Sequence, residues 1–163
     1  METNRYILSI LVDNEPGVLS RISGLFSGRG FNIDSLSVAK TADPDVSVVT
    51  LATFCDAHII EQIKKQLHKL INVITVNDLT QKKYVERELV LVKVHAKTEK
   101  RAEIMRIVDI FRSRIVDVGC SHFIIEVSGD SGKIKAFVEL MKPMGIVEIA
   151  STGTIALGRE TGK

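Results

Sequence analysis

The chain contains no tryptophan, two tyrosines and six phenylalanines, so aromatic residues make up 5% of its 163 positions. That scarcity argues against a stacking platform for nucleic-acid bases. Cysteine is nearly absent. Cys55 and Cys120 cannot make a disulfide scaffold or a four-cysteine zinc site. No apolar run reaches the roughly 18 residues that a membrane-spanning helix needs. The opening Met1-Glu2-Thr3-Asn4-Arg5 lacks the basic and apolar regions of a secretory leader, so the expected compartment is the cytoplasm. Neither sign of charge dominates: 22 basic against 20 acidic residues give a net +2, too even for a dedicated nucleic-acid binder. Residues 1–77 hold 7 basic and 8 acidic side chains, and residues 78–163 hold 15 and 12, which is consistent with two halves of different character.

What is present is a globular composition, 45% hydrophobic and 26% charged. It excludes wholesale disorder and suits one ordinary domain or two of about 80 residues. A strand is expected from Arg5 to Val12, then a polar turn, Asp13-Asn14-Glu15-Pro16-Gly17, with Pro16 favourable at a first helical turn. Val18, Leu19, Ile22, Leu25 and Phe26 fall on one helical face, and Gly28-Arg29-Gly30 stops that helix. Strands follow at about Ile33 to Lys40 and Val46 to Phe54, a helix at about Ala57 to Lys69, and a short strand from Val73 to Val76. The polar stretch from Asp78 to Glu86 reads as a linker.

The order then returns. A strand is expected at Glu88 to His95, a helix at Lys100 to Arg112, and strands at Ile115 to Val118 and Phe123 to Val127. Asp130 or Ser131 caps a further helix that Pro143 ends, and Ile146 to Ile149 is the last strand before a Gly- and Thr-rich tail. At an offset of about 82 residues Ile7 meets Leu89, Ile22 meets Ile104 and Ile33 meets Ile115. The fold expected is α+β, two tandem ferredoxin-like βαββαβ domains divided as 1–78, a linker at 79–86, and 87–163. Each sheet keeps one face without helices, which the other domain or another protomer must cover, so an oligomer is expected.

No catalytic set assembles. His58, His68, His95 and His122 are scattered, and no pair has the i, i+4 spacing of a helical metal site. Cys55 and Cys120 read as buried, inert thiols. Asp43 and Asp45 flank Pro44 in a turn that explains them. There is neither a phosphate-binding loop nor a dinucleotide fingerprint, so no catalytic residue, metal ligand or cofactor is assigned to this chain.

Binding chemistry concentrates in the first half. Asp13-Asn14-Glu15-Pro16-Gly17 delivers the chain into a helix N-terminus, where free N–H groups and the dipole suit a small carboxylate. Gly17 permits close approach and Asn14 offers a donor and an acceptor. After the helix, Asn32 can accept from an ammonium group, while Ile33 and Val18 can line an apolar pocket. These are the parts needed for an aliphatic amino acid. The same residues also serve as ordinary turn and helix-stop residues, and local physics leaves both readings open. The second repeat carries Glu99 and Arg114 where the first has Gly17 and Asn32, which points to a ligand in the first half alone.

These residues also carry a resemblance. Asp13-Asn14-Glu15-Pro16-Gly17-Val18-Leu19, Leu25-Phe26 and Arg29-Gly30-Phe31-Asn32-Ile33 resemble an ACT domain, a module that binds amino acids to regulate enzymes. Phe31 to Leu36, Glu61 to Leu70, Glu86 to Val94, Ile115-Val116-Asp117-Val118 and Thr152-Gly153 extend the similarity to the small regulatory subunits of acetolactate synthase over essentially the whole chain. The resemblance implies a non-catalytic partner of a large catalytic subunit. That subunit carries thiamine diphosphate, Mg²⁺ and usually FAD, and condenses pyruvate with pyruvate or 2-oxobutyrate in branched-chain amino-acid synthesis. It implies activation of that subunit, feedback inhibition by valine, and a homodimer through side-by-side ACT domains with valine at their interface. By matching residue, one protomer would contribute Asn14, Glu15, Pro16, Gly17 and Val18, and the facing protomer Asn32 and Ile33. The alternative is a stand-alone ACT regulator of another enzyme or of transcription. A stand-alone enzyme and an RNA-binding module fit less well, because the catalytic set and the aromatic strand motif are missing.

Overall fold

The computed structural model describes residues 3–159. Met1 and Glu2 of the N-terminal stretch read above, and residues 160–163 of the expected second domain, lie outside the described residues. The chain divides into two compact units, residues 3–85 with 154–159, and residues 86–153.

In the first unit β1 (Asn4–Asp13), α1 (Val18–Ser27), β2 (Ser35–Lys40), β3 (Val46–Cys55), α2 (Ala57–Leu67) and β4 (Val73–Asp78) follow in βαββαβ order. The strands pair antiparallel in the order β2-β3-β1-β4. The period of two along β1 decides the layers. Tyr6, Leu8, Ile10 and Val12, with Val49, Leu51 and Cys55, meet Val18, Ile22 and Phe26 of α1 and Ile60, Ile63 and Leu67 of α2 in one core. Asp56 caps α2, its carboxylate accepting from the N–H groups of His58 and Ile59 at 2.9 Å.

The second unit repeats the plan with β5 (Tyr84–His95, its first two residues belonging to the first unit), α3 (Arg101–Ile110), β6 (Arg114–Val118), β7 (His122–Gly129), α4 (Ser131–Met141) and β8 (Ile146–Ser151), ordered β6-β7-β5-β8. Val90, Val92, Val94, Phe123, Ile125 and Val127 face Ile104, Val108, Ile134, Phe137 and Met141. Asp130, not Ser131, caps α4 by accepting from the Lys133 N–H at 2.8 Å.

The 82-residue offset extends to backbone detail. A register shift between Leu11 and Val12 recurs between Lys93 and Val94. The Phe31 N–H reaches back to the Phe26 carbonyl at 3.0 Å, as the Ser113 N–H reaches the Val108 carbonyl at 2.9 Å. Both helices leave through a left-handed residue, Gly30 at φ 66° and Arg112 at φ 49°. Only the first of these is a glycine, so the second repeat holds a side chain in a strained conformation.

Several expectations change. Gly28 is helical at φ −64°, so Gly30 alone makes the left-handed step. Pro16 lies before Gly17 and outside α1, because Gly17 at φ 86° breaks the helical path there. β2 begins at Ser35, not Ile33. The expected helix at Lys100 to Arg112 is entered through a 3-10 turn at Thr98–Lys100 and ends at Ile110. Cys120 is exposed in its turn, whereas Cys55 is buried as expected.

The expected linker at 79–86 overlaps β5, which starts at Tyr84. The tail expected in the second domain returns instead to the first unit as β9 (Ile155–Gly158). The physical reason is the helix-free face of the first sheet. Ile7 and Ala52 point there, and Leu79, Tyr84 and Ala156 of the same unit pack over them. The Leu79 N–H donates to the Ile7 carbonyl at 2.9 Å, the Ile7 N–H to Thr80 Oγ1 at 3.0 Å, and Arg5 to Thr154 Oγ1 at 3.2 Å. Part of the face expected to need a neighbour is therefore covered from within.

Candidate functional site

The loop between β1 and α1 is held by two neighbouring turns. The Asn14 N–H donates to the Asp45 carbonyl at 2.8 Å, its amide nitrogen to the Pro44 carbonyl at 2.9 Å, and its amide oxygen accepts from the Ser47 hydroxyl at 3.1 Å. Asn14 thus commits one side-chain donor and one acceptor position to bracing the β2–β3 turn, and one of each remains. On the other side stands Asn72, a buried polar residue that the sequence reading did not single out. Its carbonyl accepts from the Asp13 N–H at 2.9 Å. Its amide nitrogen donates to Asp13 Oδ2 at 3.3 Å and to Glu15 Oε2 at 3.1 Å, and its amide oxygen accepts from Arg21. Asn72 precedes β4 and is 59 positions from Asp13 and 57 from Glu15, so no local spacing could reveal it.

Gly17 occupies the N-cap position of α1 at φ 86°, ψ −9°, and no side chain caps the helix. The first intrahelical bond there runs from the Arg21 N–H to the Gly17 carbonyl at 3.0 Å. α1 also has no acidic residue in its first turn. Its positive end is therefore presented without an internal counter-charge, unlike α2 and α4 with their aspartate caps. A Cβ built on Gly17 would meet nothing within 4 Å, so the space above the helix start is open. Val18 is 5% exposed and packs into the core. It offers its backbone to this space while its side chain is held elsewhere.

Asn32 and Ile33 lie beyond the other end of α1. Asn32 is exposed and its carbonyl accepts from the Thr53 hydroxyl at 2.7 Å, while Ile33 is half-buried against the core. α1 is ten residues long, about 15 Å. One chain therefore brings Asn14, Glu15, Pro16, Gly17 and Val18 together, and it holds Asn32 and Ile33 apart from them. Two elements border both ends: α1, which exposes Leu19, and β2, the edge strand of its sheet, which exposes Val38.

No group of three or more His, Cys, Asp or Glu placed to hold a metal ion occurs among the described residues. No helix among them is long and apolar enough to cross a membrane. Burial pushes the Cys55 thiol above its ordinary range, with smaller contributions from Asp56 and Asp78. Lys64 is raised by hydrogen bonds to Glu61 and Asp78 against the opposing effect of burial, and it braces α2 to β4 rather than the loop.

Two antiparallel βαββαβ units with helices on one face define the class, a protein of tandem ferredoxin-like domains. Comparison with known proteins is specific. Residues 8–75 match the family described as the AHAS small subunit-like ACT domain, and residues 87–160 match the small subunit of acetolactate synthase. A probable acetolactate synthase small subunit of Archaeoglobus fulgidus is 49% identical, over 98% of this chain and 99% of that one. The acetolactate synthase isozyme 3 small subunit of Escherichia coli is 47% identical over 95% of this chain and 96% of its own. The crystal structure of the acetolactate synthase small subunit from Thermotoga maritima superposes with a TM-score of 0.87 at 38% identity, covering 98% of this chain and 99% of that one. The chain belongs to the acetolactate synthase small-subunit family.

Proposed function

We propose that this small subunit activates a large catalytic subunit of acetolactate synthase and makes it sensitive to feedback by valine, bound between two copies of the first unit. The observation that carries the reading is the uncapped, open start of α1 at Gly17, with the complementary residues Asn32 and Ile33 about one helix length away. A twofold pairing along the β2 edges reverses the direction of α1 in the second copy. The start of one α1 then stands beside the end of the other, and each interface holds two equivalent sites.

In each site the valine carboxylate meets the N–H groups at Gly17 and Val18 and the positive end of the helix dipole. Asn32 of the facing copy accepts from the ammonium group, and Ile33 packs on the isopropyl group. Asn14, Glu15 and Pro16 shape the loop, with Asn14 and Glu15 held by the contacts described above. Because these contacts are complete in one dimer geometry only, valine favours that geometry by about 1–3 kcal/mol, the usual scale of allosteric coupling. That geometry no longer supports the active catalytic subunit. Thiamine diphosphate, Mg²⁺ and FAD belong to that partner, none to this chain, and the complex works in the cytoplasm.

The test is reconstitution with the catalytic subunit. Wild-type chain is expected to raise acetolactate formation and render it valine-sensitive. Gly17→Asp, which sets a carboxylate against the effector, and Asn32→His, which disturbs the ammonium contact, are expected to keep activation and lose sensitivity. Wild-type inhibition in both variants would overturn the assignment.

A further inference from the structure

Among the four histidines, two that are far apart in sequence are brought face to face by the second sheet. β5 and β7 run antiparallel, and the last matched pair of their ladder is His95 opposite His122. Their rings lie 4.6 Å apart between centroids, tilted by 39°. Directly opposed residues on an antiparallel ladder are close enough for their side chains to share one small ligand.

The surroundings hold both rings. The Ser121 hydroxyl and His122 Nδ1 share a hydrogen bond of 2.8 Å, which orients that imidazole and leaves Nε2 for another partner. His95 lies against Gly145, whose φ of 87° and lack of a side chain make room for the ring. A Cβ there would approach His95 Cδ2 to 2.9 Å. The His95 N–H donates to the Gly145 carbonyl at 3.0 Å, tying the backbone of the pair to the start of β8. Arg101 fixes the turn that precedes His122. It donates to the carbonyls of Ala96 at 3.0 Å, Gly119 at 3.2 Å and Cys120 at 2.6 Å, and lies over the Phe123 ring. His95 is exposed and His122 half-exposed, so both imidazoles are open to solvent.

We propose that His95 and His122 form a two-imidazole binding site for a late first-row divalent cation such as Zn²⁺ or Ni²⁺. Neutral imidazole is a preferred ligand of these ions, and water completes the coordination. With two protein ligands the site is exchangeable, unlike the closed four-ligand sites that hold structural zinc. The corresponding position in the first unit is Asp13, so the second repeat places this pair at the strand end from which the first repeat launches its effector loop.

The experiment is calorimetric titration of the full chain with ZnCl₂. It is run in a background carrying His58→Gln, His68→Gln and Cys120→Ser, which removes the other imidazoles and the exposed thiol. One zinc per chain is expected to bind in that background. Adding His95→Gln or His122→Gln is expected to weaken it about tenfold or more, with unchanged circular dichroism, because either change leaves a single imidazole. Zinc is also expected to raise the melting temperature of the background protein and not that of the two histidine variants. Binding that survives the loss of either histidine, or binding lost already in the background protein, would overturn the assignment.

Discussion

If each effector site takes its helix start from one copy and Asn32 from the other, two inactive variants complement each other. Gly17→Asp spoils the helix-start half and Asn32→His the facing half. A dimer containing one copy of each has one doubly altered site and one untouched site. Random mixing makes half the dimers mixed, so about a quarter of the wild-type number of sites returns. Neither change threatens the fold. The Cβ of residue 17 meets nothing within 4 Å, so its cost is the left-handed backbone at φ 86°, about 1 kcal/mol for a non-glycine residue. Aspartate tolerates that region better than most residues, and its charge at the helix start offsets about 0.3–1 kcal/mol. The expected melting shift is therefore only a few degrees at most, about 2–4 °C per kcal/mol for a chain of this size. Asn32 is exposed, and the bond from Thr53 goes to its backbone carbonyl, which substitution leaves in place. The assay is valine calorimetry on each variant alone and on a co-refolded equimolar mixture. No valine binding by either variant and about a quarter of the sites in the mixture is the expected pattern. Folded variants whose mixture stays silent would refute a site shared between copies.

The remaining expectations concern the loop, the repeat and pH. Asn72→Ala leaves partners of Asp13, Glu15 and Arg21 unmatched, and is expected to cost about 1–3 kcal/mol in urea unfolding and to weaken valine binding; unchanged binding would detach that network from the site. Arg112→Gly is expected to stabilise the chain by about 0.5–1 kcal/mol and Gly30→Ala to destabilise it by about 1 kcal/mol, because both residues are left-handed and only one is glycine; the same sign of change in both would contradict the repeat geometry. Cys55 keeps its proton in the folded state above the ordinary thiol value of 9.0, while the unfolded chain ionises there. Stability is therefore expected to fall as pH rises past 9.0, and Cys55→Ala to flatten that slope in urea titrations at stepped pH. The raised Lys64 acts in the same direction at higher pH. Its ion pairs contribute below the ordinary value of 10.5 and are lost as pH rises through its higher folded value.

Much of this protein was legible in its residues because the information is local or periodic. The 82-residue echo, the helical faces of Ile22 and Ile104, the cap of α4 at Asp130 and the turn before Val18 depend on neighbours within a few positions, where hydrogen bonding and side-chain direction follow from spacing. So does the open start of α1 at Gly17, since a glycine-started helix exposes its N–H groups wherever it is placed. Tertiary structure decided what spacing cannot encode. Asn72 reaches Asp13 and Glu15 because β4 pairs with β1. The tail returns to the first unit as β9 because Ile7 and Ala52 face away from the helices and need apolar cover. His95 and His122 meet because β5 pairs with β7, and Gly17 and Asn32 fall at opposite ends of α1 because a ten-residue helix is a rigid spacer. In each case the deciding contact joins residues remote in sequence, and only the register of a folded sheet or the length of a formed helix sets the distance between them.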